Sequence, residues 1–350
     1  FNFKSIDFSV SFTPNQWTNG SNDGDDKLSK NEQIHSSFNY STTKFGGFLS
    51  GSYDFYASYN KANFYDLFGP TKRSRKGFNF GMDYNQSIIY DPPRQLDFDF
   101  GVGAYYGLDQ SPEFQQINFS EEYNTNIFYN LHTSLTFKNL KRSVGAVDGE
   151  KGINASLNLS SSITEGIFYP KMYGNLDIGL PLPVNHTSLW FRNSLGNSFS
   201  NKYNPFTRFG FASFGNNYID YFSSKMYRST FSFPGVSYDS DKFLIAKSFF
   251  KSMVELVLPP IRYRKLGFFN FFATYSSPSI FAGVLFSNDY NEYYSDPNIK
   301  EFFSNIGIQL DTKLVMFSHL SATFSFGWAR AFDNNVDNTS YDEWMISLKF

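Results

Sequence analysis

Apolar and polar residues alternate one by one along most of this chain, and this alternation limits the possible folds more than any other feature. In one segment, for example, Leu96, Phe98 and Phe100 alternate with Asp97 and Asp99. Successive side chains of a strand point to opposite faces, so each such strand has an apolar face and a polar face. Alternation sustained over many residues predicts strands rather than helices.

Fourteen segments show this pattern, and most are longer than the five or six residues usual for strands of soluble sheets. The predicted strands are 2–13, 34–42, 45–59, 77–90, 95–108, 123–138, 150–163, 170–181, 185–199, 243–258, 266–286, 302–316, 318–331 and 342–350. A tilted strand needs about 9–11 residues to cross the apolar part of a membrane. The segment lengths therefore favour strands that span a membrane.

Long and short connections alternate between these strands. The odd-numbered connections, most of which are long, are 14–33, 60–76, 109–122, 164–169, 200–242, 287–301 and 332–341. The even-numbered ones, most of which are short, include 43–44, 91–94, 182–184 and 259–265. One connection on the short side, 139–149, is an exception because it is long. Outer-membrane barrels have short periplasmic turns and long external loops. We therefore predict one all-β domain over 1–350, a closed antiparallel transmembrane barrel of about 14 strands (16 as the alternative), with both termini in the periplasm.

The end of the chain carries a second indication. Four apolar residues share one parity in the last seven positions, namely Trp344, Ile346, Leu348 and Phe350. Such an end resembles the terminal strand of bacterial outer-membrane barrels, which serves as an assembly signal. The edge strand of a soluble sandwich could end in the same way. The resemblance implies location in the bacterial outer membrane, contact with lipid and lipopolysaccharide, and recognition by the barrel-assembly machinery during biogenesis.

Composition agrees with a membrane barrel. Aromatic residues make up 21% of the chain, which suits a lipid-facing surface with aromatic girdles. No stretch approaches the roughly 20 apolar residues of a membrane helix. A net charge of −2 gives no basic surface for nucleic acid. The chain begins at Phe1, and an outer-membrane protein needs a signal peptide, so we expect further residues to precede it in the precursor.

Few residues suggest chemistry. His132 lies near Asn130 and Ser134, as in a lipid-facing catalytic group, but its parity points it to the polar face. The acidic loop 333–339 has the alternating oxygens of a calcium loop but lacks the glycine and glutamate that such a loop needs. We therefore predict no catalytic residues, no metal site and no cofactor.

Charged residues on the polar face are the better candidates for function. They are Asp97, Asp99, Asp177, Arg192, Lys247, Lys251 and Glu255. Three of them, Lys247, Lys251 and Glu255, share one face of segment 243–258, opposite to Ala246 and Phe250. They could line a pore, hold an inserted loop by ion pairs, or simply form a hydrated inner surface.

The stretch 185–260 contains three distinctive parts, which are Asn204-Pro205-Phe206-Thr207-Arg208-Phe209, then Tyr227-Arg228-Ser229-Thr230-Phe231-Ser232-Phe233-Pro234-Gly235, and a strand that ends in Leu258-Pro259-Pro260. With these parts the stretch resembles the surface-antigen family of outer-membrane barrels, the Omp85 or BamA-like family. Five predicted strands follow the long loop, as in the family. The resemblance covers mainly 170–350 and is closest to the barrels that follow a TolB-like propeller in Bacteroidota.

The resemblance implies that the long external loop 200–242 folds back into the barrel. Its motif would comprise Arg228, Phe231, Phe233, Pro234 and Gly235, and the arginine would meet acidic residues of the wall. The sequence departs from the family in two respects. Family barrels have sixteen strands, and Ser229 stands where the family has glycine.

Three functions remain open at this point. The first is an accessory or translocation and assembly component of an outer-membrane complex, with other outer-membrane or periplasmic proteins as partners. The second is a diffusion pore or solute transporter. The third is a structural anchor for a periplasmic propeller domain. An enzyme is not expected.

Overall fold

A computed structural model describes residues 4–13, 33–43, 51–60, 77–106, 127–200, 208–211, 213–214, 219–220, 225–236, 244–268, 270–289, 299–317, 320–334 and 339–349. Regular structure within these ranges consists of strands and one short 3-10 turn at Met226–Arg228. The all-β class predicted from the alternation is therefore confirmed. In the same ranges, no helix has the length and apolar character needed to cross a membrane.

The strands of the described residues are numbered in chain order. They are β1 (Lys4–Thr13), β2 (Gln33–Thr42), β3 (Ser52–Asn60), β4 (Gly77–Asp91), β5 (Arg94–Tyr106), β6 (Ile127–Lys141), β7 (Lys151–Thr164), β8 (Ile167–Pro181), β9 (Ser188–Ser198), β10 (Phe209–Phe211), β11 (Ile219–Asp220), β12 (Leu244–Ala246), β13 (Ser248–Val257), β14 (Ile261–Arg262), β15 (Gly267–Phe268), β16 (Phe271–Asp289), β17 (Ile299–Met316), β18 (Leu320–Asp333) and β19 (Thr339–Lys349). Fourteen of these strands have nine residues or more. Each of the fourteen overlaps one predicted segment.

The long strands form one antiparallel sheet in which neighbours in the chain are neighbours in space. The series runs from β1 to β9, continues through β13 and β16, and ends with β17, β18 and β19. Strands β10 and β12 pair with each other, and β11 pairs in parallel with the end of β19. The registers of the described residues leave β1 and β19 at the two ends of this series. Closure of the sheet into a barrel therefore stays a prediction.

The two faces of the sheet follow the predicted parity. On β19, Trp344 is 65% exposed and Ile346 is exposed, whereas the alternating residues Met345 and Ser347 are buried. Phe350 lies outside the described residues. We call the buried face, which carries Met345, the inner face, and the opposite face the outer face.

One predicted strand, 243–258, is interrupted in the structure. Ala246, which the parity placed on the outer face, is fully buried because β12 leaves the sheet and pairs with β10. The backbone of Lys247 keeps the ladder together, since its N–H donates to Asn288 O at 2.8 Å and its carbonyl accepts from Ser198 N–H at 2.9 Å. Lys247 therefore stands at a break, and the predicted row of inner charges continues only as Lys251 and Glu255.

The core lies between the sheet and part of the loop that joins β9 to β13. The described residues 208–211, 213–214 and 225–236 of this loop are called the inserted segment. Phe209, Phe211 and Phe233 of the segment are buried against Phe249 and Leu285 of the sheet. We call the large sheet the wall. The inner face from β8 to β19 is thus covered by the chain's own loop.

Candidate functional site

Glu255 is the centre of a buried polar network between the inserted segment and the wall. Its side chain, on β13, is 0% exposed. One carboxylate oxygen accepts a hydrogen bond from Arg192 Nε at 2.6 Å. The other accepts from Arg228 Nε at 2.9 Å, from Arg228 Nη2 at 2.6 Å and from the Tyr227 hydroxyl. A wall residue is therefore bound on one side by the wall and on the other by the inserted segment.

Further carboxylates complete this network. Arg192 Nη1 lies 3.0 Å from Asp177 Oδ2, and Arg228 Nη2 lies 3.2 Å from Asp148 Oδ2. Lys225 approaches Asp148 and Asp311 at 4.0 and 3.9 Å, and Lys349 lies 3.7 Å from Asp311. The charged residues are Asp148, Asp177, Glu255, Asp311, Arg192, Lys225, Arg228 and Lys349. We call this set the Glu255 network, and its four acidic and four basic groups balance.

Balance and hydrogen bonding explain how so many charges can be buried. Desolvation of each charge costs several kcal/mol, and the geometry must be good for mutual attraction to offset that cost. Each guanidinium here binds two carboxylates, and charge-assisted bonds of this kind are the strongest hydrogen bonds in proteins. Such a network stabilises one arrangement of the segment and strongly disfavours any arrangement that leaves a charge unpaired.

Backbone groups of the inserted segment are bound by wall side chains as well. Lys251 Nζ donates to Ser229 O and, at 3.0 Å, to Ser232 O. Asn305 Nδ2 donates to Pro234 O at 2.8 Å. Because a loop has no ladder partners for its own carbonyls, these side chains satisfy groups that would otherwise be buried and unpaired.

Glu343, on β19, binds two N–H groups of the segment. Its carboxylate accepts from Gly235 N–H at 2.7 Å and from Phe214 N–H at 3.1 Å. Phe214 in turn packs over Gly327, where a Cβ atom would stand 2.9 Å from the ring. β19 therefore binds the same inserted segment as β13, although β16, β17 and β18 lie between these two strands in the sheet.

Aromatic packing supplies the apolar part of the contact. The Phe209 ring stacks on Phe231 with centroids 5.8 Å apart, and both contact Phe249. Deeper in the molecule, Tyr227 stacks on Phe281 at 4.5 Å, which aims its hydroxyl at Glu255. Pairs of this geometry contribute about 0.5–1.5 kcal/mol beyond the area that they bury.

Gly235 is the tightest point between segment and wall. Its φ is 102°, and an added Cβ would stand 2.5 Å from Ala331 N. We expect Gly235→Ala to lower the free energy of unfolding by about 1–3 kcal/mol, because strain and overpacking add. Urea unfolding of the purified chain in detergent micelles, followed by tryptophan fluorescence, measures this loss.

Gly166 provides the matched control for that substitution. It also has a positive φ, 75°, but an added Cβ would meet nothing within 4 Å. Gly166→Ala therefore reports the backbone cost alone, about 1 kcal/mol. Equal losses for the two variants would show that Gly235 is not in close contact with Ala331.

The structure brings together some of the predicted site residues and leaves others apart. Asp177, Arg192, Lys251, Glu255 and Arg228 meet at one place, as described above. The aromatic and turn residues of the motif, Phe231, Phe233, Pro234 and Gly235, line the contact with the wall.

The remaining predicted charges lie elsewhere. Asp97 accepts from Ser87 Oγ at 2.7 Å, and Asp99 accepts from Ser134 Oγ at 2.9 Å, both on the wall of β4–β6. Neither forms part of the Glu255 network. Among the described residues, no three His, Asp or Glu side chains form a group suited to a metal ion.

The sequence reasoning missed the contribution of the long turn between β6 and β7. Asp148 of this turn binds Arg228, so the extra length of the turn carries a carboxylate to the inner face. The turn is held by Glu150, which accepts from Ser143 N–H at 2.9 Å and lies 2.9 Å from His186 Nδ1. Burial alone would raise the pKa of Glu150, but the bonds from Ser143 and His186 outweigh it and lower that pKa.

No protein-family model matches the chain. No curated protein matches it either.

Proposed function

We propose that this chain is an integral outer-membrane β-barrel related to the surface-antigen, Omp85-like family. The sheet would close by pairing β1 with β19, with both termini in the periplasm. Support comes from the long antiparallel strands in chain order, the apolar outer face and the polar inner face. Closure would also cover the edge of β1 and the part of the β19 edge that β11 leaves unpaired. The outer face would contact lipid and lipopolysaccharide.

Within that class, we propose that the protein is an accessory or translocation and assembly component of an outer-membrane complex. The observation that carries this proposal is the Arg228–Glu255 pair in its balanced network. The pair fixes the inserted segment against the inner face of the sheet, which would narrow the path of any solute. A segment fixed in one arrangement suits a barrel whose interior must stay organised while other proteins engage it.

Purification of partners tests this function. A tagged chain is extracted from its own outer membrane, and the proteins that accompany it are compared with those that accompany Arg228→Ala. We expect defined partner proteins with the unmodified chain and a several-fold loss with the variant, because its segment is no longer fixed. Arg94→Ala is the control, since Arg94 pairs with Asp91 at the exposed turn between β4 and β5, away from the Glu255 network. Recovery of the chain alone under mild extraction would contradict the proposal.

A diffusion pore is the second candidate, and one observation favours it. A cavity of about 640 Å³ lies between the inner face of β3–β8 and the inserted segment, and many polar side chains line it. Planar-bilayer recording separates the two functions. Large, steady single-channel conductance of the unmodified chain would favour the pore, and low conductance that rises in Arg228→Ala would favour the assembly component. The anchor for a periplasmic propeller would show as one dominant propeller-containing partner in the purification.

A further inference from the structure

The cavity in front of β3–β8 lies apart from the Glu255 network, and its lining is unusual. Its wall is the inner face of the sheet, and its other side is formed by Phe209 and Phe231 of the inserted segment. It therefore joins wall and loop in one site. The proposal made from it below does not depend on membrane insertion or on the function proposed above.

Strand register places one polar row across the floor of this cavity. Asp54 of β3 stands opposite Asp83 of β4, and Asp83 stands opposite Gly101 of β5. Gly101 leaves room for the side chains on both sides, since a Cβ there would lie 2.1 Å from Asp83 Oδ1 and 2.2 Å from the His132 ring. Like charges directly opposite each other destabilise a sheet. A nearby positive charge is therefore needed to compensate for the repulsion between Asp54 and Asp83.

The lining residues do not supply enough positive charge for that compensation. Asp99 brings a third carboxylate to the cavity. Lys171 contributes one ammonium group, but its Nζ already donates to Arg208 O at 3.1 Å. His132 Nε2 lies 3.6 Å from Asp83 Oδ1, too far for a hydrogen bond. The cavity lining thus has three carboxylates, Asp54, Asp83 and Asp99, but one lysine.

Two acceptor atoms are left without partners in the same region. Asn130, which lines the cavity, is 5% exposed, and its Oδ1 has no hydrogen-bond partner. Asp83 Oδ1 is also buried without a partner. A buried acceptor without a donor costs about 1–3 kcal/mol, and such groups in folded proteins call for an explanation. The N–H donors of a bound molecule would supply the missing partners.

Aromatic rings supply the remaining surface. Tyr56 and Tyr105 of the sheet line the cavity, as do Tyr173 and Phe231, whose ring centroids lie 5.0 Å apart in an edge-to-face contact. Ring faces attract cations and pack against aliphatic chains. Carboxylates, free acceptors and ring faces together match one ligand chemistry, an ammonium group on an apolar body.

We propose that this cavity is a binding site for an organic amine, with the ammonium group between Asp83 and Asn130 and the aliphatic part against the aromatic rings. The amine would come from a free diamine or from a lysine side chain of another protein. Both sources present the same chemistry to the site.

Calorimetric titration of the purified chain with cadaverine tests this proposal. We expect saturable binding at one site, and about tenfold or weaker binding of the neutral analogue pentanediol, because the charge is lost. Asp83→Asn keeps the shape of the side chain and should weaken cadaverine binding about tenfold. Should Asp83→Asn fail to fold, Asp54→Asn replaces it, since it removes charge from the same row.

Asp97→Asn is the matched control. Asp97 also lies on the inner face of β5, but it is bound by Ser87 and Gln95 and does not line the cavity. Its substitution should leave cadaverine binding unchanged. The proposal is overturned if the unmodified chain shows no saturable binding, if pentanediol binds as tightly, or if Asp97→Asn and Asp83→Asn lose the same affinity.

A second titration distinguishes the two sources of the amine. The probe is Nα-acetyl-lysine N-methylamide. Its side-chain ammonium group is free, and its backbone ends are neutral amide groups. Binding as tight as that of cadaverine supports a protein side chain as the natural ligand. Binding of cadaverine alone supports a free diamine.

Discussion

Glu255→Gln is expected to lower the free energy of unfolding by about 3–5 kcal/mol. The substitution keeps the size of the side chain but removes the negative charge that Arg192 and Arg228 share. Loss of one partner leaves a buried charge uncompensated, and that costs far more than the pair itself contributes. Most domains are stable by only about 5–15 kcal/mol, so this single change would consume a large part of the total.

Urea unfolding in lipid vesicles, followed by tryptophan fluorescence, measures this loss. Trp190 is a suitable reporter, because the Arg192 guanidinium lies 4.8 Å from its ring. Asp91→Asn is the control, since it removes the acidic partner of Arg94 at the turn between β4 and β5, where the two side chains are 66% and 63% exposed. Exposed pairs contribute little, so the control should behave like the unmodified chain.

A double substitution tests whether the loss comes from the Arg228–Glu255 contact. Arg228→Met combined with Glu255→Gln should destabilise by clearly less than the sum of the two single changes, because both remove one interaction. Additive losses would show that Arg228 and Glu255 do not interact in solution. A loss for Glu255→Gln no larger than that for Asp91→Asn would contradict the buried network as a whole.

Local periodicity explains why so much of the fold could be predicted from sequence. The parity of Trp344 and Ile346 against Met345 needs no knowledge of the partner strand, because side chains alternate within any strand. The same reasoning placed Glu255, Lys251 and Arg192 on the inner face. Charges on that face could therefore be named, although their partners could not.

Features that depend on contacts distant in sequence could not be predicted in the same way. The break at Lys247 is invisible to parity, because Ala246 fits the alternation and leaves the sheet only through its pairing with β10. Asp148 lies in a turn, where no periodicity constrains its direction. The pairing of Asp54 with Asp83 follows from register, which hairpin geometry fixes and composition does not.

Two signals in the sequence could have been used more fully. Glu343 shares the inward parity of Met345 beside the outward Trp344, so an acidic group on the inner face of the last strand was predictable. The unusual length of 139–149 is visible in the sequence, and a carboxylate within it is a candidate partner for Arg228. The resemblance to surface-antigen barrels predicted a contact between Arg228 and wall acids, and Arg228 does contact Glu255.

Ile308→Arg distinguishes a membrane-embedded sheet from a soluble one more directly than any other substitution. Ile308 lies near the middle of β17 on the outer face, beside Ile280 and Trp328 in the register, and it is exposed. In lipid, an arginine at this depth costs about 2–4 kcal/mol. At an exposed position of a soluble protein, the same change usually stays within about 0.5 kcal/mol.

Unfolding measurements in lipid vesicles show which of these applies. Val144→Arg is the matched control, because Val144 is fully exposed in the turn between β6 and β7 and should tolerate the charge in either case. We expect Ile308→Arg to be destabilised by about 2–4 kcal/mol and to assemble poorly, with Val144→Arg unchanged. If both variants were as stable as the unmodified chain, the outer face would be in contact with water. The exposed apolar rows would then need a protein partner instead of lipid.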